Sequence, residues 1–318
     1  TPKPSSAASD VYKRQLAGPR YGRFCKCISG FLCDPAQERV GNLMTKLKSR
    51  PSVLNIPLIF LSLFAIYPIV VLIMNSLKSR QDLGLNPTGL PKEFMWSNYK
   101  TAFETSNFAR HASNSMFLVF VTVAIVLILG GLAAYSLARL KPRGSNGVMV
   151  YMLVMSTLPL WLYIVPLFFL WRQVGLLNNY FGLVLLYVAL NSPFAIFLLR
   201  SFLVRIPREI EEAAIMDGAS KMKVLTKVLL PISWSSFLTV GLVVALNVWN
   251  EFQVAFILIN DEEKLPIATS FFAFQQTFGN DWTLTSAVGV MVILPVLLLF
   301  FVFQRKFTDG LVQGSVKG

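Results

Sequence analysis

Six stretches of the chain are almost wholly apolar, and the segments between them gather charge, glycine and proline. The runs cover approximately residues 53–75, 113–138, 148–171, 180–203, 233–259 and 284–303. A hydrocarbon layer about 30 Å thick takes roughly 20 apolar residues as a helix. Each run therefore predicts one crossing with some tilt. The fold class expected is all-α, a polytopic membrane protein with six transmembrane helices. Gly130, Gly131, Pro159, Pro166, Pro193 and Pro295 fall inside the runs. Membrane bundles tolerate such residues as close-packing points and kinks.

Composition strengthens this reading. Apolar residues make up 54% of the chain and charged residues 14%, against about 25% charged in a soluble domain. The formal charge of +13 needs no nucleic acid to explain it, because cytoplasmic loops of membrane proteins collect Lys and Arg. No basic patch is interleaved with aromatics as in single-strand binders, so nucleic acid is not an expected partner. With both termini inside, the inner segments hold 22 Lys and Arg and the outer segments 7. Without the tail before Met44 the inner count is still 15. The predicted orientation puts both termini in the cytoplasm.

Residues 1–50 are polar and basic, without trustworthy helical periodicity, and read as a disordered or non-native tail ahead of a transmembrane domain at 51–318. Residues 1–15 resemble a cloning or sequencing scar, and Met44 is a plausible native start. Cys25, Cys27 and Cys33 all lie in this tail; their spacing is not a usual zinc pattern, and no metal is expected. Two outer segments, 76–112 and 260–283, carry Trp96, Tyr99 and Trp282. These aromatics read as interfacial anchors or as contacts for an external partner. His111, the single histidine, is expected at a solvated edge of the second run.

The loop at 204–232 is the most informative segment. Pro207 suits a first helical turn, and Glu209, Glu211 and Glu212 suit its positive end. Ala213 and Ala214 leave a flat face, and Gly218 after Asp217 can end the helix in the left-handed conformation. A second short helix then runs through Lys221, Leu225 and Val228 to Leu230 and Pro231. On these features alone, the loop is either a docking surface or an ordinary amphipathic connector.

The order Glu212-Ala213-Ala214, then Gly218, then Val228-x-Leu230-Pro231 resembles the EAA motif of ATP-binding-cassette (ABC) importer permeases. Only Val228, where the family has isoleucine, departs from that pattern. Residues 132–139 (LAAYSLAR), 193–200 (PFAIFLLR) and 249–252 (WNEF) look like carbohydrate-type members of the maltose and glycerol-phosphate group. The C-terminal residues from Gln304 to Gly318 are similar to the tail of one member of a permease pair. After Pro231 this chain has Ser233-Trp234-Ser235-Ser236 where the family often has a second proline. The resemblance implies a type I (MetI-like) permease fold in the cytoplasmic (inner) membrane. It also implies import of a solute, a sugar or related carbohydrate, with Glu212, Ala213, Ala214, Asp217, Gly218, Leu230 and Pro231 forming the coupling loop. The implied partners are a second permease subunit in a heterodimer, two ATPase subunits, an extracytoplasmic solute-binding protein and membrane lipid.

Polar residues inside the runs are the remaining candidates. Asn247, Trp249, Asn250 and Glu251 lie within the fifth run, where an ionisable side chain should face the bundle interior or a water-filled path. They read equally as a translocation path and as an interhelical hydrogen-bond cluster. Asn191 with Ser192, and Ser156 with Thr157, sit beside Pro193 and Pro159, where they can bond carbonyls freed by a kink or contact substrate. The chain has no phosphate-binding glycine loop, no paired zinc histidines and no recognisable nucleophile setting. No cofactor and no catalytic role are expected. An ion-driven secondary transporter is the competing reading, but no internal repeat supports it.

Overall fold

The computed structural model describes residues 51–279 and 281–315, with side-chain surroundings for 55–279 and 281–304. The tail reading, with Met44 and the three cysteines, lies outside the described residues, as do the surroundings of the C-terminal tail. The described residues are helical and contain no strand.

The chain divides into two compact units, Thr1–Pro68 and Ile69–Gly318. The division falls inside α1, Pro51–Ser76. Of the first unit, the described side chains from Asn55 to Pro68 are all exposed.

In the second unit, α2 (Arg80–Leu85) and α3 (Ser97–Thr105) follow α1. Lys78 is fully buried here, an arrangement that requires partners for its ammonium group. Its Nζ donates to Asn86 O at 2.7 Å and Asn75 Oδ1 at 3.1 Å. Tyr99 turns inward, its hydroxyl 2.7 Å from that of Ser76, whereas Trp96 and Trp282 are exposed.

The bundle is built on α4 (Phe108–Leu140), which packs most extensively on α7 (Tyr180–Arg205) and on α10 (Trp234–Asn250). Leu118, Val126, Leu183, Tyr187, Leu199, Val240 and Val244 form the buried seam. Gly131 lets α10 approach α4: a Cβ there would lie 2.9 Å from the Phe237 ring. Small residues at crossings are how membrane helices gain van der Waals contact when lipid is as apolar as the interface. A smaller cluster, Ala102, Phe274, Ala287 and Val288, joins α3 to α12 (Ile267–Phe278) and α13 (Trp282–Ser315).

Among the described residues, four helices are long and apolar enough to cross a membrane: Asn55–Ser76, Phe108–Leu140, Tyr180–Arg205 and Trp282–Gln304. The count reaches six when each of two bent pairs is taken as one span. The third run is not one rod. It is α5 (Ser145–Thr157) and α6 (Leu160–Gln173), bent by 96°. Pro159 disfavours the helical region for Leu158 before it, and both residues are extended, with ψ of 122° and 133°. The fifth run is also interrupted. After the loop helices α8 (Arg208–Met216) and α9 (Lys221–Ile232), the chain turns by 81° into α10. Helix α10 then stops at Asn250, and Glu251–Phe252 breaks the path before α11 (Gln253–Leu258).

His111 corrects a second expectation, since it is 7% exposed rather than solvated. Its Nδ1 lies 2.9 Å from Ser106 O and 2.5 Å from Ser270 Oγ, and its Nε2 lies 2.9 Å from Glu262 O. The ring thereby staples the start of α4 to the 262–270 segment.

Candidate functional site

The loop that carries the EAA pattern folds as a helix, a turn and a helix. Pro207 stands in extended conformation just before α8, and Glu209 and Glu211 occupy the first turn, as the helix dipole favours. Helix α8 ends at Asp217, and Gly218 takes φ +83°. The Gly218 N–H donates to Ile215 O at 2.9 Å and the Ala219 N–H to Ala214 O at 3.0 Å. These bonds satisfy carbonyls that a helix end leaves open. Ser220 begins α9, its Oγ accepting the Lys223 N–H at 3.4 Å. A π turn at Val224–Leu229 then leads to Leu230 and Pro231.

The two faces of this unit differ. Val224, Leu225 and Leu229 are buried, with Ala214, Ala219 and Leu230 packed half-buried against the same core. Glu212, Ala213, Asp217, Gly218 and Pro231 are exposed. Beside them Ile215, Met216 and Met222 are 47%, 87% and 57% exposed. The small-residue face is thus edged by exposed methionine and isoleucine side chains.

The inward-turned acid is Glu211, which sequence reasoning had placed only as a dipole partner. Its carboxylate accepts the Tyr135 hydroxyl at 3.2 Å and lies 3.5 Å from Arg139 Nε. Arg139, with a side chain 4% exposed, also donates through Nη2 to Leu203 O at 2.7 Å and Ile206 O at 2.6 Å. Those carbonyls close the C-terminal end of α7, where a cation is favoured. Arg139 reaches them from a π turn at Ser136–Leu140 that ends α4. The signal for this clamp was present in the LAAYSLAR stretch, but its partners lie far along the chain.

The second candidate group surrounds the break after α10. Glu251 accepts the Tyr187 hydroxyl at 2.7 Å, and its two oxygens accept the N–H groups of Val254 at 2.7 Å and Ala255 at 3.3 Å. It thus caps α11 while tying the break to α7. Asn247 Nδ2 donates to Asn191 Oδ1 at 3.1 Å, and buried Trp249 Nε1 donates to Val292 O at 3.3 Å. Asn250 bonds only its own helix, at Leu246 O, and is exposed. Asn191 and Ser192 bond the carbonyls of Tyr187 and Val188 one turn back. Ser156 and Thr157 do the same at Leu153 and Val154. An apolar groove of about 600 Å³ runs between α4, α10 and α13, lined by Val123, Leu127, Leu242, Trp249 and Leu298 among others. Among the described residues no three His, Cys, Asp or Glu side chains gather as a metal site.

Comparison with known proteins agrees with this architecture. Residues 126–311 match the family described as binding-protein-dependent transport system inner membrane component. The diacetylchitobiose uptake system permease protein NgcG of Streptomyces coelicolor is 34% identical over 262 residues, covering 82% of this chain and 87% of that protein. The probable starch degradation products transport system permease protein AmyC of Thermoanaerobacterium thermosulfurigenes is 30% identical over 261 residues, covering 81% and 94%. Among solved structures, a chain of a bacterial ABC transporter that imports the acidic polysaccharide alginate superposes with a TM-score of 0.68 at 25% identity. That alignment covers 87% of this chain and 99% of the other. The chain belongs to the binding-protein-dependent transport system inner membrane component family. It is a multi-pass membrane permease subunit of an ABC importer, and its relatives are transport permeases.

Proposed function

We propose that this subunit moves a carbohydrate across the inner membrane, driven by ATPase subunits that grip the exposed face of α8. The observation that carries the reading is the α8–Gly218–α9 unit, with Glu212, Ala213 and Gly218 outward and Glu211 clamped inward. The names of relatives that handle diacetylchitobiose and starch products, and of the alginate importer, support a sugar or oligosaccharide as cargo. The Lys and Arg bias supports both termini and the 204–232 loop on the cytoplasmic side. The complex would hold a second, non-identical permease, two ATPases and an external binding protein. Residues 51–318 form the permease domain, which has no catalytic role of its own.

For the path we favour Asn250 together with the break at Glu251–Phe252. Non-helical backbone at membrane depth is tolerated where it is buried in protein or lines a water-filled cavity. Asn247 and Asn250 are both exposed, but Asn250 alone bonds only its own helix, while Asn247, Trp249 and Glu251 hold the surrounding helices.

The test is purification of the complex through a tag on this chain, followed by reconstitution in vesicles with its binding protein. An ATPase should co-purify and be lost in Gly218→Ile. Uptake of an oligosaccharide should accompany faster ATP hydrolysis. A Gly218→Ile chain that keeps both the ATPase and uptake would overturn the docking assignment. Uptake confined to amino acids or ions would overturn the cargo.

A further inference from the structure

A cavity of about 420 Å³ opens between the end of α1, α2 and the start of α13. Sites for small molecules run from about 300 to 1,000 Å³. In the orientation proposed above, it opens on the outer face. Trp282, 59% exposed, lines it together with Asn75, Arg80, Thr283 and Ser286. The indole therefore does not stand alone at an interface; its neighbours in the wall are polar, and Thr283 and Ser286 are buried.

The hydrogen bonds of this wall are only partly used. Asn75 Oδ1 accepts from Lys78 Nζ at 3.1 Å, which leaves the amide N–H groups for another partner. Ser286 Oγ donates to Trp282 O at 2.6 Å, and Thr283 Oγ1 donates to Asp281 Oδ1 at 2.6 Å. Each hydroxyl has thus placed its proton and keeps a lone pair with which to accept. Arg80 donates through Nε to Asp281 Oδ2 at 2.7 Å and has further N–H groups to offer.

Charge narrows the ligand. Among the described residues of the lining only Arg80 is charged, and Asp281, with a side chain 5% exposed, is its counterion. An ionic ligand therefore meets no unmatched charge. An apolar ligand would leave the buried hydroxyls without partners in a pocket emptied of water. A sugar ring satisfies both demands, with a C–H face for the indole and a rim of hydroxyls that donate and accept. We propose that this cavity is an outer subsite for the end ring of a neutral oligosaccharide, stacked on Trp282 and bonded by Asn75, Arg80 and Ser286. The subsite rests on the carbohydrate reading above and gives the cargo a holding place before it passes between the spans.

The experiment is saturation-transfer NMR of the assembled importer in detergent, without its binding protein. Maltotriose, diacetylchitobiose and trigalacturonate are titrated separately, and their uptake is measured in vesicles with the binding protein present. A neutral sugar should show transfer strongest on one face of one ring, and trigalacturonate should not compete with it. The dissociation constant should rise about fivefold in Trp282→Ala, as for one lost aromatic contact, and less in Trp282→Phe. Gly84 also lines the cavity, and a Cβ there would meet nothing within 4 Å. Gly84→Leu should therefore fill the space without disturbing the fold and abolish this binding. Trp96→Ala, which removes an exposed tryptophan outside the cavity, should bind sugar as the native chain does. Uptake of a sugar without its binding, or equal affinity in the native, Trp282→Ala and Gly84→Leu chains, would overturn the subsite alone. Equal binding of trigalacturonate would overturn the neutral ligand. Neither binding nor uptake of any of these sugars would overturn the cargo reading, and the subsite with it.

Discussion

Arg139 at the end of α4 stands 3.5 Å from Glu211 in α8, while its Nη2 holds two carbonyls at the end of α7. Three elements distant in sequence meet at one buried guanidinium. A displacement of α8 must therefore carry Arg139 with it or break the pair. Neighbouring Glu212 has no such tie and faces outward.

The two adjacent glutamates should separate on mutation. Arg139→Met leaves a buried carboxylate and two carbonyls without their cation, at a cost of about 3 kcal/mol. Glu211→Gln should cost about 1 kcal/mol, because the amide still accepts from Tyr135. Glu212→Gln should leave thermal stability unchanged and weaken only ATPase co-purification. Melting temperature and ATPase recovery, measured on the same preparations, separate the two roles.

Gly218 gives a cleaner backbone test. A Cβ there would meet nothing within 4 Å, so the cost of a side chain comes from φ +83° alone. Gly218→Ala should cost about 1 kcal/mol, and Gly218→Asn less, because asparagine tolerates this region. Equal loss of stability in both variants would show that space rather than backbone angle governs the position.

At the break after α10, stability and transport should part company. Tyr187→Phe removes one hydrogen bond to Glu251 and should lower stability by about 1 kcal/mol. Asn250→Ala, which severs no contact between helices, should leave the melting temperature alone and reduce uptake. Unchanged uptake in Asn250→Ala would remove it from the path.

Acid should loosen one contact in particular. Burial of Asp281 opposes its ionisation. The Thr283 hydroxyl, the Leu284 N–H and Arg80 together outweigh this and hold its carboxyl below the usual range. A depressed folded value means that the stabilisation is complete above the unfolded carboxylate value of about 3.9 and is lost as pH falls through the folded one. The link between Arg80 of α2 and the start of α13 should therefore persist at neutral pH and fail only in strong acid. Asp281→Asn should abolish that acid-dependent step in thermal melts recorded from neutral pH down into strong acid.

The spans were legible from apolar length, because lipid punishes any other pattern. The helix–turn–helix was legible because Glu209 and Gly218 satisfy local rules of helix ends, whereas its coupling reading rested on the resemblance of Glu212, Ala213, Ala214 and Gly218 to the EAA motif. What escaped was set by distant partners. Pro159 reads as a kink, yet the chain turns by 96° there, with α5 packing on α7 and α6 on α11. His111 sits in a run that looks solvated at its edge, and only the 262–270 segment makes it a buried staple. Glu211 and Glu212 are alike in sequence. They point about 100° apart around α8, and the side that meets Arg139 is decided by how α8 lies on the ends of α4 and α7.

The π turn at Ser136–Leu140 has a consequence for comparing members of this family. A π turn accommodates one residue more than a regular helical turn over the same rise. A relative whose α4 ended as plain α-helix would align with a single-residue gap between Tyr135 and Lys141. The same deletion made in this chain would swing Arg139 about 100° around the helix. The gap would therefore sort relatives into those that can reach the α7 carbonyls with this arginine and those that must reach them by another residue.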